Sequence, residues 1–167
     1  PLPRSIVDVG YSGFGHFLNR GNVRQIAESS VGLDFLEGWV ERPMPDGRKI
    51  KYRAFGSRTL HIVAGNGPGL GIVTLARCAV TRSDCIIKAP SNDPFTSAAL
   101  AMTMCDMAPD HPITKHFAVA YWRGGDAAVE NKLYRPHNIE KIVAWGGLAG
   151  IKHVTKYIQP GLELISL

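Results

Sequence analysis

From residue 59 onward, strand-like and helix-like segments alternate, and nothing else in the chain restricts its fold as much. Short apolar, β-branched runs occupy 59–64, 85–88, 116–122, 141–145 and 162–167. Between them lie helix-like segments at 70–82, 94–108, 126–133 and 148–157. Five strands joined by four helical crossovers specify an α/β fold, a Rossmann-like parallel sheet with helices on both faces. Asn92-Asp93-Pro94 reads as a helix start, with Asp93 as the cap and Pro94 at the first helical position.

The first 58 residues follow no such rhythm. Gly10, Gly13, Gly15 and Gly21 interrupt the opening, a helix is expected at 23–30, and 31–42 is mixed. Pro43-Met44-Pro45-Asp46-Gly47 makes a turn, after which 49–55 reads as an edge strand. Residues 1–58 are therefore an arm or incomplete lobe, and 59–167 form the α/β domain. The chain opens on Pro1 rather than methionine and closes on the strand-like Gly161-Leu162-Glu163-Leu164-Ile165-Ser166-Leu167 without a cap, so it is expected to be a fragment of a longer protein.

With 167 residues and 45% hydrophobic content, the chain can build one real core. Its net charge of +5 is scattered, and the densest run, Arg48-Lys49-Ile50-Lys51-Tyr52-Arg53, reads as a solvated strand face. Basic and aromatic residues do not cluster along one element, which argues against nucleic acid. A basic balance does suit an anionic cofactor or substrate. Cys78, Cys85 and Cys105 sit in apolar contexts without pairing or metal-ligand spacing, so they read as buried thiols of a reducing compartment, and no metal is expected. No stretch reaches the ~20 apolar residues needed to span a bilayer, and no signal segment opens the chain. A cytoplasmic protein is expected.

Leu60-His61-Ile62-Val63-Ala64-Gly65-Asn66-Gly67-Pro68-Gly69-Leu70-Gly71 runs from a strand through a glycine-rich turn into a helix. Such a turn places backbone N–H groups at a helix N-terminus, where a phosphate or a developing oxyanion can be held. It is not the ordinary dinucleotide fingerprint, because G-x-G-x-x-G frames starting at Gly65 or Gly67 end on Leu70 or Ile72. The second strand also ends in Lys88 rather than in an acidic residue. The simpler reading is that the glycines only let a buried helix approach its strand. Four glycines, a proline and an asparagine in one short turn favour a ligand.

Three motifs resemble, in order and spacing, the cofactor-binding domain of the aldehyde dehydrogenase superfamily. They are Ala64-Gly65-Asn66-Gly67-Pro68, Ile86-Ile87-Lys88-Ala89-Pro90-Ser91-Asn92-Asp93-Pro94-Phe95-Thr96 and Ile142-Val143-Ala144-Trp145-Gly146-Gly147. The nearest likeness, over about 59–167, is to bacterial acyl-CoA reductases of the LuxC type, which make long-chain aldehydes for bioluminescence. It implies a fragment of a reductase that turns a fatty acyl-CoA or acyl-protein thioester into an aldehyde through an acyl-cysteine. That cysteine lies beyond Leu167, since none of the three present matches it, and the fragment alone is expected to be inactive. By the same likeness Asn66 donates to the oxyanion, Lys88 contacts the adenosine ribose, and the pyrophosphate lies over Gly146 and Gly147. Gly65, Pro90, Ser91 and Trp145 complete the implied cofactor contacts.

Ser91 stands where NAD-preferring members carry a glutamate, so nothing repels a 2′-phosphate and Lys88 can pair with it. NADPH is thus expected over NADH. The superfamily's Leu-Glu-Leu-Gly-Gly motif, which supplies a general base, admits two registers here. Leu162-Glu163-Leu164 matches by letters, whereas Ile165-Ser166-Leu167 leaves the base absent, as suits transfer from a thioester rather than to water. The second is favoured. A homo-oligomer or larger complex is expected of the complete protein. The competing class is a Rossmann-like nucleotide-binding module without chemistry of its own.

Other groups read as structural. His111, His116, His137 and His153 lack metal spacing, as do Asp106 and Asp110. Met102, Met104 and Met107 read as core fillers. Trp122-Arg123-Gly124-Gly125-Asp126 reads either as a cleft wall or as a plain strand-to-helix turn.

Overall fold

The computed structural model describes residues 3–67 and 69–167; Pro1, Leu2 and Pro68 of the glycine turn lie outside the described residues. The amino-terminal part holds α1 (Arg4–Ser12), α2 (Phe14–Phe17), α3 (Arg20–Ser30), α4 (Leu33–Glu37), β1 (Val40–Pro43) and β2 (Lys49–Tyr52). The remainder alternates: β3 (Arg58–Ile62), α5 (Leu70–Val80), β4 (Asp84–Lys88), α6 (Thr96–Met107), β5 (Phe117–Ala120), α7 (Ala127–Leu133), β6 (Lys141–Ala144), α8 (Leu148–Thr155) and β7 (Glu163–Ser166).

The last five strands form one sheet in the order β5-β4-β3-β6-β7, every neighbouring pair parallel. The chain enters at the middle, builds outward to one edge, then returns to build the other, which is the doubly wound arrangement. The α/β parallel-sheet architecture expected from the alternation is the one found.

Strand side chains alternate between faces, so each strand feeds two cores. Leu60 and Ile62 of β3, with Ile86, Ile142 and Leu164, join Trp122, Tyr134 and Val154 on the face covered by α7 and α8. Cys85 and Ile87 of β4, with Phe117 and Val119, join Leu75, Cys78 and Ala101 beneath α5 and α6. Leu60, Ile87 and Ile142 are wholly shielded, and each contributes about 1.5–3 kcal/mol relative to exposure.

Several boundaries differ from the apolar runs. Val63 and Ala64 have left β3 for the glycine turn, and Trp122 and Trp145 lie past the ends of β5 and β6, because apolar residues there pack the turns rather than extend the ladders. The cap position of α6 is Phe95 rather than Asp93, which sits earlier in the chain and still accepts from the Thr96 N–H at 3.1 Å and the Thr96 hydroxyl at 2.6 Å. The regular helix begins at Thr96 rather than at Pro94. Of the three methionines read as core fillers, only Met104 packs on the core. Met102 and Met107 are exposed, since α6 turns a single face to the sheet. Cys105 is half-buried rather than buried.

The expected edge strand at 49–55 is corrected too. β2 pairs antiparallel with β1, not with the large sheet. The reason is the intervening turn: the Met44 N–H donates to the Arg48 carbonyl at 2.7 Å, and Asp46 accepts from the Arg48 N–H at 3.0 Å. Gly47 takes a positive φ of 85° there, folding Lys49 back onto Pro43.

The amino-terminal part is fastened to the domain at two places. A Cβ on Gly56 would lie 1.9 Å from the Arg82 carbonyl oxygen, so the chain entering β3 passes backbone against backbone beside the turn after α5. From that turn Arg82 donates to the Leu36 carbonyl at 2.5 Å and to Glu37 at 2.8 Å. No helix among the described residues is long and apolar enough to cross a membrane.

Candidate functional site

All five strands point the same way, so their carboxyl ends share one rim. At its centre Ile62 lies between Lys88 and Ala144. The chain leaves β3 for α5 on one face and β6 for α8 on the other, and divergence of this kind opens a crevice where α/β sheets bind ligands. The rim gathers the three sequence motifs: Gly65 and Asn66 after β3, Lys88, Pro90 and Ser91 at and after the end of β4, and Trp145, Gly146 and Gly147 after β6. Asn92 ties the first two together, its amide donating to the Gly65 carbonyl at 2.6 Å. The Trp145 N–H donates to the Ile62 carbonyl at 2.9 Å and ties in the third.

The two glycine turns differ in what surrounds them. On the β3–α5 side a Cβ at Gly65 would lie 1.8 Å from Asn92, one at Gly69 1.9 Å from the Phe14 ring, and one at Gly71 1.8 Å from the Ser97 hydroxyl. Gly69 also holds a φ of 88°. These three glycines allow close approach, the simpler of the two sequence readings. Phe14 stacks edge-on against Tyr11 with ring centres 5.6 Å apart, and the Tyr11 hydroxyl hydrogen-bonds Thr96. The arm thereby roofs the amino end of α5, while Asn66 stays exposed beside it.

On the β6–α8 side the surroundings are open. A Cβ on Gly146, Gly147 or Gly150 would meet nothing within 4 Å, and no side chain caps α8. Unclaimed N–H groups at a helix start, with glycines letting a ligand approach, fit a phosphate. The Trp145 indole nitrogen beside them is buried without a partner among the described residues. By this test the residues present fit a nucleotide diphosphate.

Lys88 is half-buried, its ammonium 5.4 Å from the Trp122 ring centre and 5.9 Å from that of Tyr121. Burial holds its pKa below the ordinary lysine value, and the negative charge of Glu130 partly offsets this. Pro90 is half-buried and Ser91 exposed, with no carboxylate at position 91. Glu163 opens β7 at the far edge of the sheet, 3.3 Å from Lys141. Ser166 is the β7 residue level with Ala144, so the glutamate is remote from the crevice and the second of the two registers puts its residues at the rim.

Glu130 was not singled out in the sequence, yet it organises one side of the site. It is buried, and it accepts from the Gly125 N–H at 2.9 Å, from His153 at 2.6 Å and from the Tyr157 hydroxyl at 3.0 Å. Burial pushes its carboxyl up, but those three donors outweigh it and hold the pKa below the ordinary value. Asp126 accepts from the Ala128 N–H at 3.0 Å and caps α7. The 122–126 segment is thus a strand-to-helix turn built around Glu130, with Trp122 lying under Lys88. The only sequence signal for Glu130 is an acid among the apolar positions of a short helix.

A second grouping lies between β3, β4 and α5. The expectation that the cysteines have no ligand-like arrangement is corrected, because the fold brings Cys78, Cys85 and His61 together with their ligand atoms within 4.8 Å of one another. Linear spacing hides this, since the three stand on β3, α5 and β4 in turn. Cys105 is not part of it. The other histidines are placed differently: His116 pairs with Asp84 at 2.5 Å, and His153 with Glu130.

Residues 5–167 match the family model "Acyl-CoA reductase (LuxC)". The chain is 33% identical over 149 residues to the long-chain acyl-protein thioester reductase of Photorhabdus laumondii, covering 88% of this chain and 30% of that protein. It is 36% identical over 109 residues to the enzyme of that name from Vibrio harveyi, covering 65% of this chain and 22% of that protein. The chain thus spans less than a third of the length of these curated relatives. Among solved structures, γ-glutamyl phosphate reductase from Thermotoga maritima superposes on 96% of the chain and 42% of its own with a TM-score of 0.58, at 12% identity, a likeness of fold. The motifs along the rim and these matches agree: the chain belongs to the acyl-CoA reductase (LuxC) family.

Proposed function

We propose that this chain is the nucleotide-binding part of an NADPH-dependent reductase that converts a long-chain fatty acyl thioester, carried on CoA or on a protein, to an aldehyde. Its family and the names of its relatives support a reductase acting on an acyl thioester. The observation that carries the cofactor reading is the start of α8 at the rim, which among the described residues no side chain caps and whose Gly146–Gly147 turn is bare and exposed.

In this reading the first N–H groups of α8 hold the diphosphate, and Lys88, with no carboxylate at position 91 to oppose it, takes the 2′-phosphate. NADPH when bound supplies the hydride. Asn66 extends an amide toward the acyl group and stabilises negative charge on its oxygen. Cys78 and Cys85 are buried in the core beneath α5, and Cys105 is half-buried on α6. By the family likeness, the acyl-bearing cysteine is a residue outside this chain. Reducing a thioester requires no base to activate water, which agrees with the remoteness of Glu163.

The test is a titration of the protein with NADPH and with NADH, followed by nicotinamide fluorescence, for the native sequence and for Lys88→Ala. Native protein should bind NADPH more tightly, and the substitution should weaken NADPH by about tenfold or more while changing NADH little. Equal weakening of both removes the phosphate role of Lys88. Absence of binding by either nucleotide removes the cofactor site.

A further inference from the structure

We propose that His61, Cys78 and Cys85 form a binding site for a thiophilic divalent cation of the zinc class, between the inner strands β3 and β4 and the last turn of α5. The site is independent of the nucleotide reading. Three elements build it. Alternation along β3 points Thr59 and His61 to the α5 face, away from Leu60 and Ile62. The register of β4 sets Cys85 beside Thr59. Cys78, in the last turn of α5, comes down on both.

The contacts are close. Cys78 Sγ lies 3.3 Å from His61 Nε2 and 3.9 Å from the Thr59 hydroxyl, which is itself 3.2 Å from His61 Nε2. All three ligand atoms lie within 4.8 Å of one another. A tetrahedral ion with bonds of about 2.0 Å to nitrogen and 2.3 Å to sulfur sets its ligand atoms roughly 3.5–3.8 Å apart. The imidazole–thiol distance of 3.3 Å falls just short of that spacing, and small side-chain rotations adjust it and the rest.

Two thiolates and an imidazole are the donor set that selects zinc-like and softer ions over magnesium or calcium. Thr59 donates its own proton to the Asp84 carbonyl at 2.9 Å, so its oxygen is left as an acceptor in this cluster. Cys78 is pulled down, chiefly because the Cys85 thiol donates to it, with burial opposing and His61 adding. Cys85, which keeps the shared proton, is pushed up. Binding of a dication by the pair, which shares one proton, releases that proton and leaves a neutral ion–dithiolate unit, which suits a buried site.

A path to the sulfurs exists. A cavity of about 330 Å³ reaches Cys78 and Cys85 between Leu75 and Phe117, with His111 and His116 also on its wall. Three protein ligands and a cavity leave a fourth position for water or another exchangeable ligand, as in open rather than closed zinc sites.

The experiment titrates the reduced, chelator-stripped protein with Co²⁺ and then Zn²⁺. One equivalent of Co²⁺ should give a thiolate-to-cobalt charge-transfer band with visible d–d bands, and one equivalent of Zn²⁺ should bleach them. Zn²⁺ should also protect two of the three thiols of the native chain from a thiol reagent, a readout that needs no variant. Cys78→Ser and Cys85→Ser should each abolish the band, His61→Ala should weaken it, and Cys105→Ser should leave it unchanged. No charge-transfer band in the native protein, failure of Zn²⁺ to protect thiols, or a band lost only in Cys105→Ser overturns the site.

Discussion

A single buried carboxylate shows how much one residue can hold. Glu130 collects donors from the turn before α7, from α8 and from the segment after α8, so three parts of the chain converge on one charge. Its native pKa is lowered relative to the unfolded chain. A lowered carboxylate stabilises the fold above its unfolded pKa and loses that contribution as pH falls through its native value. Denaturant midpoints measured from neutral pH down to about pH 3 should therefore fall more steeply for the native sequence than for Glu130→Gln. At neutral pH that substitution should cost about 1–3 kcal/mol. A parallel pH dependence in the two proteins would show that the carboxylate is not what holds these donors. Nothing in the sequence marks Glu130, because its partners are spread from Gly125 to Tyr157 and only the fold assembles them. Lys88, by contrast, was legible: a lysine ending the second strand of such a unit has to emerge at the rim.

At the scale of elements, alternation of short apolar runs with helical segments was enough to give the parallel sheet, and each of the five strands formed within two residues of its apolar run. What alternation leaves out is where elements touch backbone to backbone. Gly56 sits in no motif, yet a side chain there would meet the Arg82 carbonyl, a neighbour that cannot rotate away. Gly56→Ala should destabilise by about 3 kcal/mol, whereas Gly124→Ala, with nothing within 4 Å, should change stability by about 0.5 kcal/mol or less. Thermal melts of the two variants check this, and equal melting temperatures would contradict the close crossing. The hairpin β1–β2 escaped sequence reading for a related reason. A strand beside a parallel domain reads as its edge until the turn chemistry of Asp46 and Gly47 is taken into account.

For the whole molecule, the doubly wound order decides which of the motifs can act together. Gly65–Asn66, Lys88–Ser91 and Trp145–Gly147 are far apart in sequence and adjacent at the rim because β3 lies between β4 and β6. Their common location was readable from the strand order such a fold adopts; the sealing of the first glycine turn by Phe14 was not, since it depends on how the arm returns. On the function proposed above, Asn66→Ala in the longer protein should lower kcat by about 10²–10³ with NADPH affinity unchanged, the loss of one preorganised donor. Steady-state turnover with a long-chain acyl thioester, alongside nucleotide titration, checks it. An unaltered kcat would leave Asn66 as a turn residue.

The seal at Gly69 bears on how this protein can be divided. Residue 58 looks like a seam on paper, but an excised carboxyl-terminal piece would have its glycine turn stripped of the Phe14 ring, Thr96 deprived of the Tyr11 hydroxyl, and Arg82 reaching for a carbonyl no longer there. The segment before the seam is the lid of the box, and the box was shaped with the lid on.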